Sequence, residues 1–445
     1  MRRSAVIVAA ALALVHAAAA AQQAAATPDP RIEQLIASVS QVRLERLLRT
    51  LVGFGTRNTL SDTSSPTRGI GAARQWIFDE LTRTSPKLRV SFDTHRIKKG
   101  AGNGRITQNV ELWNVVAILP GRSPRRLYVS GHYDSLNLGE QGQIGLNSGA
   151  TTARRTDPNL DAPGANDDGS GTVLVMELAR VFAESQIDFD ATLVFIAVAG
   201  EEQGLLGARA HARRVKADRI PVQAVFNNDI VGGADGGDGS SDGTTIRLYS
   251  EGPDDSPSRA LAMFVGRVAA RYLPSHKVRL LARRDRFSRG GDHTAWNLEG
   301  FAAVGFRESR ENYGRQHGPD DTLEGVSFPY LAQNARVNAA AMAALGLAPP
   351  PPVVTTPRGQ PTIDRQPSGY DARLRWTASP GATGYRVVWR EAWAQDWQHE
   401  ASVGDVTEYV LPKANIDDFV YGVAAIGPGG HESTVSAYVA PPPAY

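Results

Sequence analysis

Cysteine is missing from all 445 residues of the chain. Its absence excludes a disulfide framework, a thiolate zinc site, an iron–sulfur cluster and a cysteine nucleophile. Any metal centre must therefore be built from histidine and carboxylate side chains. A surplus of charge is missing too, with 48 Lys and Arg against 46 Asp and Glu. Arg2 and Arg3 fall in a segment expected to be removed, which leaves 46 of each sign. Without a basic excess, neither nucleic acid nor an anionic membrane is expected as a partner. Long apolar runs are the third absence. After residue 21 no stretch reaches about 18 apolar residues, so no membrane span is expected in the mature chain. What remains is 42% hydrophobic and 21% charged, with 44 Gly and 27 Pro. That composition excludes a collagen, a coiled coil or a disordered tail, and the length suits two or three folded units.

Residues 1–21 read as a secretory signal: basic Arg2 and Arg3, an apolar run from Ala5 to Val15, then the small residues Ala19, Ala20 and Ala21. The protein is expected to be exported, to a periplasm or the extracellular medium. Residues 22–347 alternate strand-like and helix-like patterns. Ile32 to Leu51 carries apolar residues at helical spacing, and Thr172 to Phe182 reads as a helix opened by a glycine-rich turn. Leu127 to Ser130, Val222 to Phe226 and Ala302 to Phe306 read as short strands. Leu193 to Val198 is a continuous apolar run of the sort buried on both faces of a sheet. This alternation predicts an α/β unit with a mixed, largely parallel central sheet flanked by helices. Residues 348–356 form a stiff proline-rich linker. Residues 357–441 carry short alternating strands separated by turn signals, which predicts a small all-β sandwich.

The reactive side chains gather where strands end. His95, His211, His276, His399 and His431 lie in polar stretches and read as surface residues. His132 differs, because it follows a strand directly and Asp134 stands two residues on. That spacing projects both to one side, so the Asp134 carboxylate could orient the ring of a ligand histidine. Asp167 and Asp168 are adjacent in a glycine-rich turn that opens a helix, where one carboxylate would suffice as a cap. Glu201 and Glu202 leave the most apolar strand side by side and repel each other unless a cation or proton intervenes. Asp229 and His317 follow two further strands. Ligands in an open α/β sheet gather at the carboxyl ends of its strands, so this convergence points to a metal site. Asp167, Glu202, Asp229 and Glu201 together carry four negative charges, which two divalent ions would balance. Nitrogen and oxygen donors without sulfur suit zinc first.

Residues from about 110 to 325 resemble the secreted co-catalytic zinc aminopeptidases of the bacterial leucyl and aminopeptidase Y type. The motifs that carry the resemblance are Gly-His-Tyr-Asp-Ser, Gly-Ala-Asn-Asp-Asp-Gly-Ser-Gly, Ala-Gly-Glu-Glu-Gln-Gly, Asn-Asn-Asp and His-Gly-Pro-Asp-Asp-Thr, in the family's order. The resemblance implies two zinc ions per chain bridged by Asp167, with His132 and Asp229 completing one site and Glu202 and His317 the other. It implies Glu201 as general base, Asp134 as partner of His132, and Asp168 next to an unusual peptide bond. Tyr313 is carried over as an oxyanion-side hydroxyl, although its spacing before His317 departs from relatives in which tyrosine directly precedes the histidine. His293, in Gly-Asp-His-Thr, matches a segment lining the substrate region and stays outside the metal set. The Trp376 strand and the Gly-Tyr-Arg-Val strand of the sandwich resemble a fibronectin type III domain.

The implied activity is removal of N-terminal residues from peptide or protein substrates by a zinc-activated water. A carboxypeptidase would need a cation to clamp the substrate carboxylate, and Arg283, Arg284, Arg286 and Arg289 are candidates for it. A glutaminyl cyclase on the same fold would use one zinc, against which the five-ligand set argues. A non-catalytic binding or receptor module is the remaining alternative; such relatives lose ligands or the base, and this chain retains them. No partner for the sandwich is legible.

Overall fold

Thr192–Val198 is buried at every position and divides its side chains between two cores. Leu193, Phe195 and Ala197 face one apolar cluster, while Val194, Ile196 and Val198 face another. That is the period of two of a strand covered on both faces. The computed structural model describes residues 28–139, 157–253 and 255–439. The expected signal segment lies outside the described residues, as does most of the insertion between Gly139 and Asp161.

Eight strands form the main sheet: β1 (Arg89–Ile97), β2 (Val110–Leu119), β3 (Arg126–His132), β4 (Thr192–Val198), β5 (Val222–Asn228), β6 (Thr245–Ser250), β7 (Lys277–Leu281) and β8 (Ala303–Glu308). Their order is β1-β2-β4-β3-β5-β8-β6-β7. The middle, β4-β3-β5-β8, is parallel throughout. The pairs β1-β2, β2-β4 and β6-β8 are antiparallel and β6-β7 parallel, so the sheet is mixed with its parallel part at the centre. His132 pairs with Val198, Ser130 with Asn227 and Asn228 with Phe306. The four parallel strands therefore end at one level and release their chains into one crevice.

Six helices cover one face: α1 (Pro30–Ala37), α2 (Gln41–Val52), α3 (Gly69–Thr84), α4 (Gly171–Glu184), α6 (Pro257–Tyr272) and α8 (Phe328–Leu347). The other face carries α5 (Leu206–Ala217) and α7 (Asp292–Leu298). Helix α4 is buried at every residue except Arg180 and Glu184, which explains why its sequence is apolar apart from the stripe Glu177, Arg180 and Glu184, joined by ion pairs. The helical spacing read from Ile32 to Leu51 is carried by two helices, α1 and α2. Ser38 Oγ turns back to the Gln34 carbonyl at 2.9 Å, and Ser40 caps α2 by accepting from Arg43 N at 3.2 Å. Serines compete in this way with the helical ladder.

The C-terminal unit contains β9 (Ile363–Asp364), β10 (Ala372–Arg375), β11 (Gly384–Glu391), β12 (His399–Val403), β13 (Glu408–Leu411), β14 (Phe419–Ile426) and β15 (Ser436–Ala437). They form two antiparallel sheets, β13-β10-β9 and β12-β11-β14-β15. Leu374, Trp376, Tyr385, Val387, Tyr421 and Val423 share their core. The proline-rich segment expected as a stiff linker makes contacts to both units. Arg125 Nη2 donates to the Ala348 carbonyl at 2.7 Å, and Val353 bridges to Thr377. The units also meet directly, with His431 Nε2 3.0 Å from Asp29 Oδ2 and Glu432 3.9 Å from Arg267 on α6. Among the described residues, no helix is long and apolar enough to cross a membrane.

The approach of β3 to α4 makes a stability prediction. A Cβ on Gly131 would lie 2.6 Å from the Gly171 carbonyl carbon and 2.8 Å from its oxygen, both main-chain atoms. Gly131→Ala is expected to cost about 1–3 kcal/mol through overpacking. Gly243→Ala, whose Cβ would meet only the Ala234 methyl at 3.9 Å, should stay within about 0.5 kcal/mol. Urea midpoints of the two variants check this, and equal midpoints would contradict it.

Candidate metal centre

Each parallel strand delivers one part of a buried cluster. His132 ends β3, and its Nδ1 lies 3.0 Å from the Asp134 main-chain oxygen. A carbonyl only accepts, so Nδ1 carries the proton and Nε2 is left as the ligand atom. The Asp134 carboxylate, expected to orient this ring, stands further off at 3.6 Å. It instead accepts from the backbone N–H of Glu201 at 3.1 Å and of Glu202 at 3.2 Å. Asp134 thereby fixes the turn that carries both glutamates.

The adjacent aspartates take opposite directions. The Asp167–Asp168 peptide is cis. Asp168 points into the fold and accepts from the N–H of His132 at 2.9 Å, Gly171 at 2.8 Å and Ile230 at 3.3 Å. It ties β3, α4 and the chain after β5 together. Asp167 faces the crevice, while Asp321 holds its own N–H at 2.8 Å.

Around Asp167 two trios form. His132 Nε2 lies 3.2 Å from Asp167 Oδ1 and 3.7 Å from Asp229 Oδ1. His317 Nε2 lies 3.1 Å from Asp167 Oδ2 and 3.2 Å from Glu202 Oε2. Within each trio the candidate ligand atoms lie within 4.8 Å of one another. His132 Nε2, Asp167 Oδ2 and Glu202 Oε1 are buried and hydrogen-bonded to nothing. Such orphaned donors and acceptors are costly unless an ion satisfies them, so the residues fit a pair of divalent cations sharing Asp167. The electrostatics agree. Burial opposes charge on His132, yet Asp134, Asp167 and Asp229 hold its pKa well above the ordinary value. Burial likewise opposes charge on His317, but Glu202 and Asp167 raise it to about 9. The cluster draws in positive charge.

Glu201 belongs to neither trio. It is partly exposed, and burial of its carboxyl, with like charge from Asp229, Glu202 and Asp292, holds its pKa well above the usual carboxylate range. A carboxyl in that state can both accept and return a proton. His293 Nε2 donates to the Arg284 carbonyl, 2.8 Å away, and lies outside both trios. Tyr313 is 46% exposed with its ring 5.8 Å from the Arg289 guanidinium. Among the described residues its hydroxyl bonds none of the five candidate ligands.

Sequence reasoning missed Arg307. It is buried, ion-pairs with Asp229 Oδ1, donates to the Asp229 carbonyl at 3.1 Å and lies 3.6 Å from Asp285. Nothing separates a basic residue late in an apolar strand from a surface one until its neighbours are known. The arginines considered as a carboxylate clamp are largely engaged. Arg286 is buried between Asp285 at 3.0 Å and Glu311 at 2.6 Å, and Arg284 pairs with Glu251 at 2.9 Å. The histidines expected at the surface also differ: His211, His276 and His431 are buried and His95 half-buried, leaving His399 exposed. Their partners are distant in sequence, as with His276 Nε2 and Asn334 Oδ1 at 2.7 Å.

Residues 114–342 match the family model described as Peptidase family M28. The chain is similar to a probable zinc metalloprotease of Pyricularia oryzae, 37% identical over 91% of this chain and 84% of the relative. A probable zinc metalloprotease of Leptosphaeria maculans is 36% identical over 90% of this chain and 95% of its own length. Among solved structures, the LapA aminopeptidase of Legionella pneumophila superposes with a TM-score of 0.55 at 18% identity, covering 72% of this chain and 76% of that one. A glutaminyl cyclase of Porphyromonas gingivalis gives 0.51 at 18% identity, covering 68% and 98%. At those identities the two structures speak for the shared fold alone.

The acidic side of the Arg307 network predicts a pH dependence. Burial would raise the Glu311 carboxyl, but Arg286, Arg247 and Arg289 bring it down to about 2. An unfolded glutamate titrates near about 4.3. The stability Glu311 contributes is therefore complete above that pH and is lost as pH falls towards 2. Glu311→Gln should cost about 3–5 kcal/mol at neutral pH by stranding buried arginines. It should also flatten the loss of stability with acidification. Urea midpoints at pH 7 and pH 3 test this, and an unchanged acid slope would contradict it.

Proposed function

The chain belongs to peptidase family M28, and we propose that it is a zinc-dependent aminopeptidase acting through a paired-zinc centre. The observation that carries this reading is the pair of trios sharing Asp167, with orphaned ligand atoms turned towards each other. His132, Asp167 and Asp229 would hold one ion, and Asp167, Glu202 and His317 the other. Zinc bound there supplies Lewis-acid polarisation of a peptide carbonyl and lowers the pKa of a water.

The chain's own residues do the rest. Glu201 takes a proton from the attacking water as its oxygen bonds to the carbonyl carbon. As the C–N bond breaks, Glu201 returns that proton to the leaving amine, and the products are a free amino acid and a shortened peptide. Asp134, through the N–H groups of Glu201 and Glu202, holds base and ligand in fixed relation. Asp168 performs the same service for His132 and the turn bearing Asp167. Buried carboxylates suit the free α-amine of a substrate, whereas Arg286, already neutralised by Asp285 and Glu311, is poorly placed to clamp a substrate carboxylate. Export follows from the character of residues 1–21. The C-terminal sandwich is read as fibronectin type III-like and apart from the chemistry, since no candidate ligand lies in it.

Glu201→Gln keeps size but cannot accept the proton. It should retain the zinc content of the parent while turnover of an aminoacyl p-nitroanilide falls by roughly 10²–10⁴-fold. Glu202→Gln removes a charged ligand and should lower both zinc content and turnover, with added zinc restoring part of the latter. Elemental analysis beside rate measurements decides the roles. Zinc lost in Glu201→Gln and kept in Glu202→Gln would invert them, and unchanged turnover in both would place the site elsewhere.

A further inference from the structure

We propose that Asp93, His95 and His211 form a separate site for one divalent transition ion of the zinc or copper(II) class, outside the centre built on Asp167. Asp93 and His95 stand two apart on β1 and so share a face, which α5 covers with His211. Their ligand atoms all lie within 4.8 Å of one another. The cluster sits beside β2, where Asn114 is the cross-strand partner of Asp93, and none of its members belongs to the Asp167 trios.

Two features favour an ion over a plain hydrogen-bonded carboxylate. Asp93 separates its oxygens. Oδ1 meets Arg214 at 2.6 Å, while Oδ2 alone faces His95 Nε2 at 2.9 Å, His211 Nδ1 at 2.5 Å and Asn114 Nδ2 at 3.1 Å. The second feature is the far side of His211. Its Nε2 is buried without a hydrogen-bond partner, and the ring packs edge-to-face with Tyr128 and Trp296, with centroids 5.7 and 5.6 Å away. Aromatic rings tolerate an N–H better than a lone pair. A proton on Nε2 leaves a lone pair on Nδ1, directed at the carboxylate oxygen. Two acceptors that close need a proton or a cation between them, and Arg214 reaches only the other oxygen, Oδ1. Two imidazole nitrogens and one carboxylate oxygen, with no sulfur, suit zinc or copper(II). The half-buried side of His95 leaves a position open to water.

The test uses the full chain, stripped with a chelator and dialysed against zinc chloride. His95→Gln should carry one zinc fewer per chain than the parent, with unchanged turnover on an aminoacyl p-nitroanilide. Equal zinc content in a folded His95→Gln overturns the proposal, whatever the Asp167 centre holds, because the readout is a difference. Should that variant fail to fold, copper(II) is titrated into the zinc-loaded parent and followed by electron paramagnetic resonance. One tightly held copper with nitrogen hyperfine structure is expected. A spectrum of unbound copper alone overturns it.

Discussion

Buried negative charge is the constraint around which this molecule is organised. The parallel strands converge on Asp167, Glu202 and Asp229, all nearly inaccessible to water. Isolated carboxylates in such surroundings would be expensive, and each must meet a proton, a cation or a set of N–H groups. Asp229 leans on Arg307, Arg307 on Asp285, Asp285 on Arg286 and Arg286 on Glu311. Charge thus alternates along a buried line that starts at the metal centre and ends at Arg247 on β6. The two histidines take up what Arg307 does not reach.

A second group of acids never faces the crevice. Asp134, Asp168 and Asp321 accept main-chain N–H groups from segments far apart in sequence. Charged acceptors of N–H groups make stronger bonds than neutral ones. Three loops that have no regular partner are fixed this way, and loops are where strand-end chemistry resides. The doubling of acids in Asp-Asp and the His-x-Asp spacing thus has a common explanation. One residue of each pair faces the centre and the other builds the wall behind it.

The centre of the sheet was legible because β3, β4, β5 and β8 are apolar runs that stop at polar residues, and burial on both faces leaves no other pattern. Their ends offered His132, Glu201, Glu202, Asp229 and His317, and the glycine-rich turn before α4 offered Asp167. The outer strand β1, by contrast, alternates exposed and half-buried positions, and its Arg, Ser, Asp, Thr and His residues hide it. The direction of the Asp134 carboxylate was not legible, since spacing of two places side chains on one side without saying which neighbour captures them. His211 looked like a surface residue because Asp93 lies 118 positions away. Arg307 stayed hidden for the same reason: pairing across the sheet is a property of register, and register is not written in any single segment.

The contact between Asp29 and His431 joins residues 402 positions apart. Asp29 also receives Arg31 N at 2.8 Å as the cap of α1, and its own N–H donates to Tyr272 of α6 at 3.0 Å. The first helix, the sixth and the sandwich are therefore closed into one ring by a single aspartate. Closing a loop of that length gains nothing until the segments between have already folded. In a chain emerging from its N-terminus, α1 can form early with Asp29 already capping Arg31 N, whereas the His431 contact waits for the last strands. The Asp29–His431 contact therefore forms only once the sandwich docks beside α1.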